Sequence, residues 1–136
     1  MYMNILVVDD NKAVQERLAA LIISQGHNVD LAINGLDALG KAQQGNYQLF
    51  VIDHLMPLMN GVQLTKNLKA DESSSLVPVI FMTTQGKRTL KDIAEYSLFD
   101  KVIDKPINEA DFITLLSEVI KAYPANSATE VLEANK

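Results

Sequence analysis

The chain of 136 residues contains no cysteine and only two histidines, His27 and His54. The lack of cysteine excludes a disulfide framework and any cysteine-based metal or redox site. Two histidines are too few for a histidine-rich metal site. No apolar run approaches the roughly 18 residues of a membrane-spanning helix, and the amino terminus lacks the basic region, apolar core and cleavage site of a signal peptide. These absences predict a cytoplasmic protein with no insertion into a membrane.

Positive charge is also scarce in this chain. Twelve lysines and arginines stand against 17 aspartates and glutamates, which gives a formal net charge of -5. Because nucleic-acid binders neutralise phosphates with basic side chains, this balance argues against direct nucleic-acid binding. The content of 48% apolar and 21% charged residues is typical of a globular chain long enough for one core.

Short apolar runs alternate with helical patterns along the chain. The runs are residues 4–8, 29–32, 49–52, 79–82 and 102–103. Strands that alternate with helices pair in parallel through right-handed crossovers, with helices on both faces of the sheet. The sequence therefore predicts an α/β fold, a doubly wound five-stranded parallel sheet in three α/β/α layers.

The helical patterns differ in clarity. The fourth is expected over residues 87 to about 97, where the apolar stripe is narrow, and the fifth has a clean stripe from Phe112 to Tyr123. Residues 124–136 are polar and lose this periodicity. We therefore expect one domain over residues 1–123, followed by a disordered tail or a truncated linker.

Polar residues follow four of the five apolar runs. Asp9 and Asp10 follow the first, Asp53 the third, Thr83 the fourth and Lys105 the fifth. Because the carboxyl ends of parallel strands share one edge of a sheet, these side chains are expected to converge there. Each has an ordinary alternative, since an aspartate can cap a helix, a loop threonine can be inert and a lysine is usually solvated. Five such coincidences at one edge are less probable than any one of them.

The predicted cluster suits phosphoryl transfer to a carboxylate. Three close carboxylates repel one another, and the pKa of at least one rises unless a cation enters. Oxygen ligands alone select a hard cation such as Mg²⁺. A carboxylate can act as the nucleophile toward a phosphoryl group whose oxygens are neutralised by Mg²⁺, an ammonium and a hydroxyl. This chemistry predicts phosphorylation of Asp53.

These motifs make the chain resemble the receiver domain of two-component response regulators, the CheY-like family. The resemblance covers about residues 3–123. It rests on four stretches: Val-Val-Asp-Asp at 7–10, Asp53 with Met56-Pro57 and Asn60-Gly61, Val-Pro-Val-Ile-Phe-Met-Thr at 77–83, and Asp-Lys-Pro at 104–106. It implies the flavodoxin-like strand order 2-1-3-4-5.

The resemblance also implies roles for the site residues. Asp53 would receive its phosphoryl group from a histidine kinase or a phosphotransfer protein. Asp10, Asp53 and the Leu55 carbonyl would ligate Mg²⁺ (or Mn²⁺) directly, and Asp9 would act through a bound water. The phosphoryl oxygens would be bound by Thr83 and Lys105, with a cis bond between Lys105 and Pro106.

The signal is expected to leave through the face formed by the fourth helix, fifth strand and fifth helix, where a downstream protein would bind. The residues assigned to this face are Lys87, Arg88, Lys91, Val102 and Pro106. Val102 replaces the family's usual switch aromatic, so Phe99 or Tyr96 is a candidate for part of the switching role. The alternative for the basic residues is an ordinary solvated surface.

Three other functions compete with a phosphorylated receiver. A phosphatase of the haloacid-dehalogenase type needs a second aspartate two residues after the nucleophile, where this chain has Leu55. A flavodoxin-type flavin carrier needs a phosphate loop where this chain has Asp9 and Asp10. A receiver that has lost phosphorylation and serves only for docking stays open through Val102. We expect a signalling phospho-acceptor rather than an enzyme, without an output domain unless the sequence is a piece of a longer protein.

Overall fold

The computed structural model describes the backbone of residues 2–134 and the side chains of residues 2–122. Its sheet contains β1 (Asn4–Val8), β2 (Asn28–Ala32), β3 (Leu49–Asp53), β4 (Val79–Thr83) and β5 (Lys101–Asp104). All neighbouring strands are parallel, in the order β2-β1-β3-β4-β5. The predicted sheet and its strand order are confirmed.

Within residues 2–134, five α-helices and one 3₁₀ helix connect and follow the strands. They are α1 (Lys12–Ser24), α2 (Gly35–Gln44), α3 (Gly61–Ala70), α4 (Lys87–Leu90), the 3₁₀ helix (Ala94–Leu98) and α5 (Glu109–Ala134). Helices α1, α2 and α3 each have an asparagine at the N-cap whose side chain accepts a backbone N–H from the first turn. These asparagines are Asn11, Asn34 and Asn60. Such caps satisfy donors that the helix itself leaves unpaired.

The fourth helix is much shorter than its pattern predicts, and the expectation of a helix to about residue 97 is wrong. Helix α4 ends at Leu90, and Ile93 adopts an extended conformation with φ -85° and ψ 148°. The 3₁₀ helix then leads to Phe99. Leu90 and Phe99 are both buried in one cluster, so the break lets two apolar side chains reach the same core.

The core lies on both faces of the sheet, which explains why the strands are continuous apolar runs. Successive strand residues point to opposite faces. Ile5 and Val7 therefore join α1 and α5 residues such as Phe112 in one cluster, whereas Leu6 and Val8 belong to the cluster on the other face. With both faces covered, the polar ends of the strands are left at the edges of the sheet.

The predicted boundary at residue 123 stays a prediction. The backbone of α5 is described to Ala134, but the side chains from residue 123 onward and all of residues 135–136 lie outside the described part. Across residues 2–134, no helix has both the length and the apolar character that crossing a membrane requires.

Candidate phosphoryl-transfer site

Three aspartates meet at the carboxyl edge of the sheet. Asp53 is the last residue of β3, and Asp9 and Asp10 follow β1 directly, in the neighbouring position. One carboxylate oxygen from each lies within 4.8 Å of the other two. The three acidic residues that the sequence assigned to one edge are thus brought together, because β1 and β3 are adjacent and parallel.

Lys105 joins this cluster from the loop after β5. Its Nζ lies 3.0 Å from Oδ2 of Asp9 and 3.2 Å from Oδ1 of Asp53. Burial opposes the charged ammonium, but the hydrogen bond to Asp9 and the charges of both carboxylates outweigh it, so the pKa of Lys105 lies above its usual value. The bond between Lys105 and Pro106 is cis, as the resemblance to the receiver family implied.

Asp9 is fully buried and both of its carboxylate oxygens have partners. Oδ1 accepts the backbone N–H of Asn11 at 2.8 Å, and Oδ2 accepts Lys105. The Gln15 amide donates to the Asp9 carbonyl at 2.7 Å and holds this turn against β2. Asp10, by contrast, is exposed. The two neighbouring aspartates therefore differ in what they offer to a cation.

Burial makes the charged form of Asp53 unfavourable. Only 6% of the residue is exposed. Desolvation, followed by the charge of Asp9, raises the pKa of Asp53 to about 6, even though Lys105 acts in the opposite direction. A bound cation would relieve the repulsion among the carboxylates. The donor set consists of oxygens alone, so the residues fit a hard divalent cation such as Mg²⁺.

The loop after β3 packs closely against the backbone of Asp53. The N–H of Gly61 donates to the carbonyl of His54 at 2.7 Å. A Cβ on Gly61 would collide with the carbonyl oxygen of Asp53 and lie 2.9 Å from the Phe81 ring. Glycine is therefore required where α3 begins, because only a residue without a side chain allows this approach. Leu55, whose carbonyl is the predicted metal ligand, lies in the same loop, with its side chain half exposed.

The hydroxyl of Thr83 contacts a residue that sequence reasoning did not assign to the site. Thr83 ends β4, next to β3, and is fully buried. Its Oγ1 lies 2.9 Å from Nδ1 of His54 and accepts the N–H of Gln85 at 2.9 Å. Burial lowers the pKa of His54, which favours the neutral ring. The only sequence signal for this contact was the position of His54, directly after Asp53.

Comparison with known proteins identifies the family to which this geometry belongs. The family model for the response regulator receiver domain matches residues 5–117. The chain belongs to this family. Receiver domains are signalling phospho-acceptors rather than conventional enzymes, and they bind Mg²⁺ at a cluster of aspartates. They also interact with histidine kinases or phosphotransfer proteins.

Individual relatives are moderately similar to this receiver. It is 32% identical over 145 residues to the probable transcriptional regulator ycf29 of Pyropia yezoensis, with 99% of this chain and 64% of that protein covered. It is 32% identical over 116 residues to protein PilH of Pseudomonas aeruginosa, with 85% and 96% covered. The response regulator TrrA of Thermotoga maritima, solved in complex with Mg²⁺-BeF, is 26% identical with a TM-score of 0.77, and 85% of this chain and 97% of that one are covered. The receiver thus spans less than two-thirds of the ycf29 protein.

A row of aromatic rings runs from the site toward the 3₁₀ helix of this receiver. The rings of His54 and Phe81 have centroids 5.3 Å apart, and Phe81 stacks on Phe99 at 3.9 Å with an interplanar angle of 12°. Tyr96 meets Phe99 edge to face at 6.4 Å. Val102 is buried in the same cluster. The region therefore contains stacked aromatic rings, although the fifth strand has valine at the usual aromatic position.

The predicted partner face contains two neighbouring hollows. The basic residues Lys87, Arg88 and Lys91 line one of them together with Tyr96 and Asp104. The second is lined in part by Lys87, Val102 and Pro106. The structure thus groups the five residues assigned to the face, although only 9% of Val102 is exposed. Its role there stays a prediction.

Proposed function

We propose that this receiver accepts a phosphoryl group on Asp53 from the phosphohistidine of a histidine kinase or a phosphotransfer protein. The observation that carries this proposal is the position of Asp53. It ends a central strand, within 4.8 Å of the Asp9 and Asp10 carboxylates and 3.2 Å from the Lys105 ammonium. In the reaction, an Asp53 carboxylate oxygen forms the new P–O bond and the P–N bond breaks, with the electron pair left on the donor imidazole nitrogen, which takes a proton from solvent.

The metal would be held by Asp10, Asp53 and the carbonyl of Leu55, with Asp9 acting through a water. The exposure of Asp10 and the hydrogen bonds that both Asp9 oxygens already accept support this division, because Asp9 is held by Asn11 and Lys105. When bound, Mg²⁺ would supply positive charge that neutralises a phosphoryl oxygen and the surrounding carboxylates. Mn²⁺ prefers the same oxygen ligands.

The other phosphoryl contacts would come from Lys105 and Thr83. Lys105 already lies against Asp53, so its ammonium can move from the carboxylate to a phosphoryl oxygen over a short distance. Thr83 would donate its hydroxyl to another oxygen. Phosphorylation places about -1.5 to -2 charge at this point, and both contacts are charge-assisted, the stronger class of hydrogen bond.

The signal would pass to the face of α4, β5 and α5, where the three basic side chains Lys87, Arg88 and Lys91 favour an acidic partner surface. The rings of Phe81 and Phe99 lie between His54, which contacts Thr83, and Tyr96, which lines the basic hollow of this face. These ring contacts support a switching role for Phe99, in place of the family's usual switch aromatic, whose position is occupied here by Val102.

The mass of the intact protein after incubation with acetyl phosphate and Mg²⁺ tests this function. The wild type should gain one phosphoryl group, the gain should require Mg²⁺, and Asp53→Asn should abolish it. Asp92→Asn, which changes an exposed aspartate in the same way, is the matched control and should be phosphorylated normally. If the folded wild type neither gains mass nor binds beryllofluoride with Mg²⁺, the receiver is a docking unit and the proposal fails.

A further inference from the structure

The hydroxyl of Thr83 is already engaged before any phosphoryl group is present. Its Oγ1 lies 2.9 Å from Nδ1 of His54, and Thr83 itself is fully buried. In the proposed phosphorylated state, the same hydroxyl must donate its proton to a phosphoryl oxygen. A hydroxyl has one proton to donate, so the direction of the bond between Thr83 and His54 determines whether the two states compete.

Hydrogen-bonding capacity determines that direction. Among residues 2–122, the side-chain oxygen of Thr83 has two partners, the backbone N–H of Gln85 and Nδ1 of His54. The N–H can only donate. If Nδ1 also carried a proton, the Thr83 proton would be buried without an acceptor, an arrangement that protein interiors avoid. The satisfied arrangement has Thr83 donating to Nδ1, while the proton of the neutral ring is on Nε2.

The ring of His54 is fixed well enough to hold this hydroxyl. Its backbone N–H donates to the carbonyl of Met82 at 2.9 Å, and its carbonyl accepts Gly61 at 2.7 Å. The ring itself contacts Phe81, with centroids 5.3 Å apart. These contacts come from β4 and from the start of α3, so the acceptor is positioned from two sides.

We propose that His54 is a positioning residue that holds the Thr83 hydroxyl in the unphosphorylated receiver and gives it up when a phosphoryl group arrives on Asp53. This inference rests on the proposed phosphorylation of Asp53. Nδ1 of His54 and a phosphoryl oxygen compete for one proton, so binding of the phosphoryl group includes the cost of breaking the resting hydrogen bond. The same event removes a polar contact from a ring that touches Phe81, and thereby alters the end of the aromatic row nearest to the site.

The protonation of His54 tests the first half of this inference without metal or phosphate. ¹⁵N NMR of the imidazole, recorded on the metal-free wild type at about pH 8, above the usual histidine pKa of ~6.5, distinguishes a protonated from an unprotonated ring nitrogen. We expect Nδ1 of His54 to be unprotonated, with a shift that changes in Thr83→Val. A protonated Nδ1 would overturn the inference, because Thr83 would then keep its proton for the phosphoryl group.

Beryllofluoride affinity in the presence of Mg²⁺ tests the second half. His54→Leu removes the acceptor and should tighten binding about 2- to 12-fold, the factor that one net hydrogen bond confers. His54→Asn keeps an oxygen near the Nδ1 position and should bind as the wild type does. In a Thr83→Val background the effect of His54→Leu should vanish, because the pair acts as a unit. If His54→Leu does not fold, His54→Gln, whose amide extends past the Nδ1 position, takes its place.

Two results would contradict the competition between His54 and the phosphoryl oxygen. One is unchanged or weaker beryllofluoride binding by a folded His54→Leu. The other is tightening that persists in Thr83→Val, which would mean that His54 acts through something other than the hydroxyl. If the wild type neither binds beryllofluoride nor gains a phosphoryl group from acetyl phosphate, the proposed phosphorylation of Asp53 fails and the competition fails with it, whereas the NMR result still decides the direction of the hydrogen bond.

Discussion

Asp53→Asn is expected to stabilise the metal-free receiver, although it removes the proposed phospho-acceptor. Burial and the charge of Asp9 raise the pKa of Asp53 from 3.8 to about 6. At about 1.4 kcal/mol per pKa unit, keeping this carboxylate charged costs the folded state about 3 kcal/mol above pH 7. Asparagine has nearly the same shape and no charge. Allowing for a weaker hydrogen bond to Lys105, we expect a gain of about 1–3 kcal/mol in the free energy of unfolding.

The pH dependence of this gain follows from the direction of the pKa change. Below pH 3.8 the carboxyl of Asp53 is protonated in both states and costs nothing. Between pH 3.8 and about 6 the unfolded chain loses the proton while the folded chain retains it, so the stability of the wild type falls as the pH rises. Above about pH 6 the cost is constant. The advantage of Asp53→Asn should therefore appear across this window and persist at neutral pH.

Urea unfolding of both proteins in the presence of a chelator measures this difference, at intervals from about pH 4 to pH 8. Asp92→Asn, at an exposed position, is the control and should follow the wild type throughout. Adding Mg²⁺ should stabilise the wild type in proportion to RT ln(1 + [Mg²⁺]/Kd) and should stabilise Asp53→Asn less. The reasoning is refuted if Asp53→Asn is no more stable than the wild type at neutral pH. It is also refuted if the difference in the free energy of unfolding between the two proteins does not decrease as the pH is lowered toward about 4.

Three further substitutions test packing around the site, each by urea unfolding. Gly61→Ala should lose at least about 1–3 kcal/mol, because its Cβ would meet the Asp53 carbonyl; an unchanged midpoint would show that the loop can move aside. Leu58→Gly should gain about 1 kcal/mol, because exposed Leu58 has a positive φ of 71°; a loss would mean that its side chain contributes contacts. Phe99→Ala should lose about 3–5 kcal/mol through its buried stack on Phe81; a loss below about 1 kcal/mol would exclude a tight stack.

The edge that carries Asp9, Asp53 and Lys105 was predictable because it depends on chain order and strand direction alone. Apolar runs alternating with helices require a parallel sheet, and parallel strands end on the same side. The first one or two residues after each run are then placed without any knowledge of packing. The identities of those residues, all with oxygen or ammonium groups, were sufficient to predict a hard cation and phosphoryl chemistry at this edge.

The break after Leu90 was not predictable from its pattern. A narrow apolar stripe over residues 87–97 is compatible with one continuous helix, and local propensity does not reveal that Phe99 is needed in the core. Tertiary packing overrides such weak local preferences. The stack of Phe99 on Phe81, like the hydrogen bond of His54 to Thr83, joins residues on different elements, at positions that neither periodicity nor motif spacing relates.

By itself, the sequence of this receiver determined the succession of strands and helices along the chain and the set of polar residues at the carboxyl ends of the strands, since both follow from the linear pattern of apolar and polar residues. The order of the strands within the sheet was implied by the family resemblance and not by this pattern. Only the tertiary structure decided which of these groups touch and how strongly they are buried. The pairing of Lys105 with Asp9 and Asp53, the raised pKa of Asp53 and the engagement of Thr83 by His54 all depend on distances between separate segments. Electrostatic and hydrogen-bond energies change steeply with such distances and with burial, and neither quantity is present in the linear pattern.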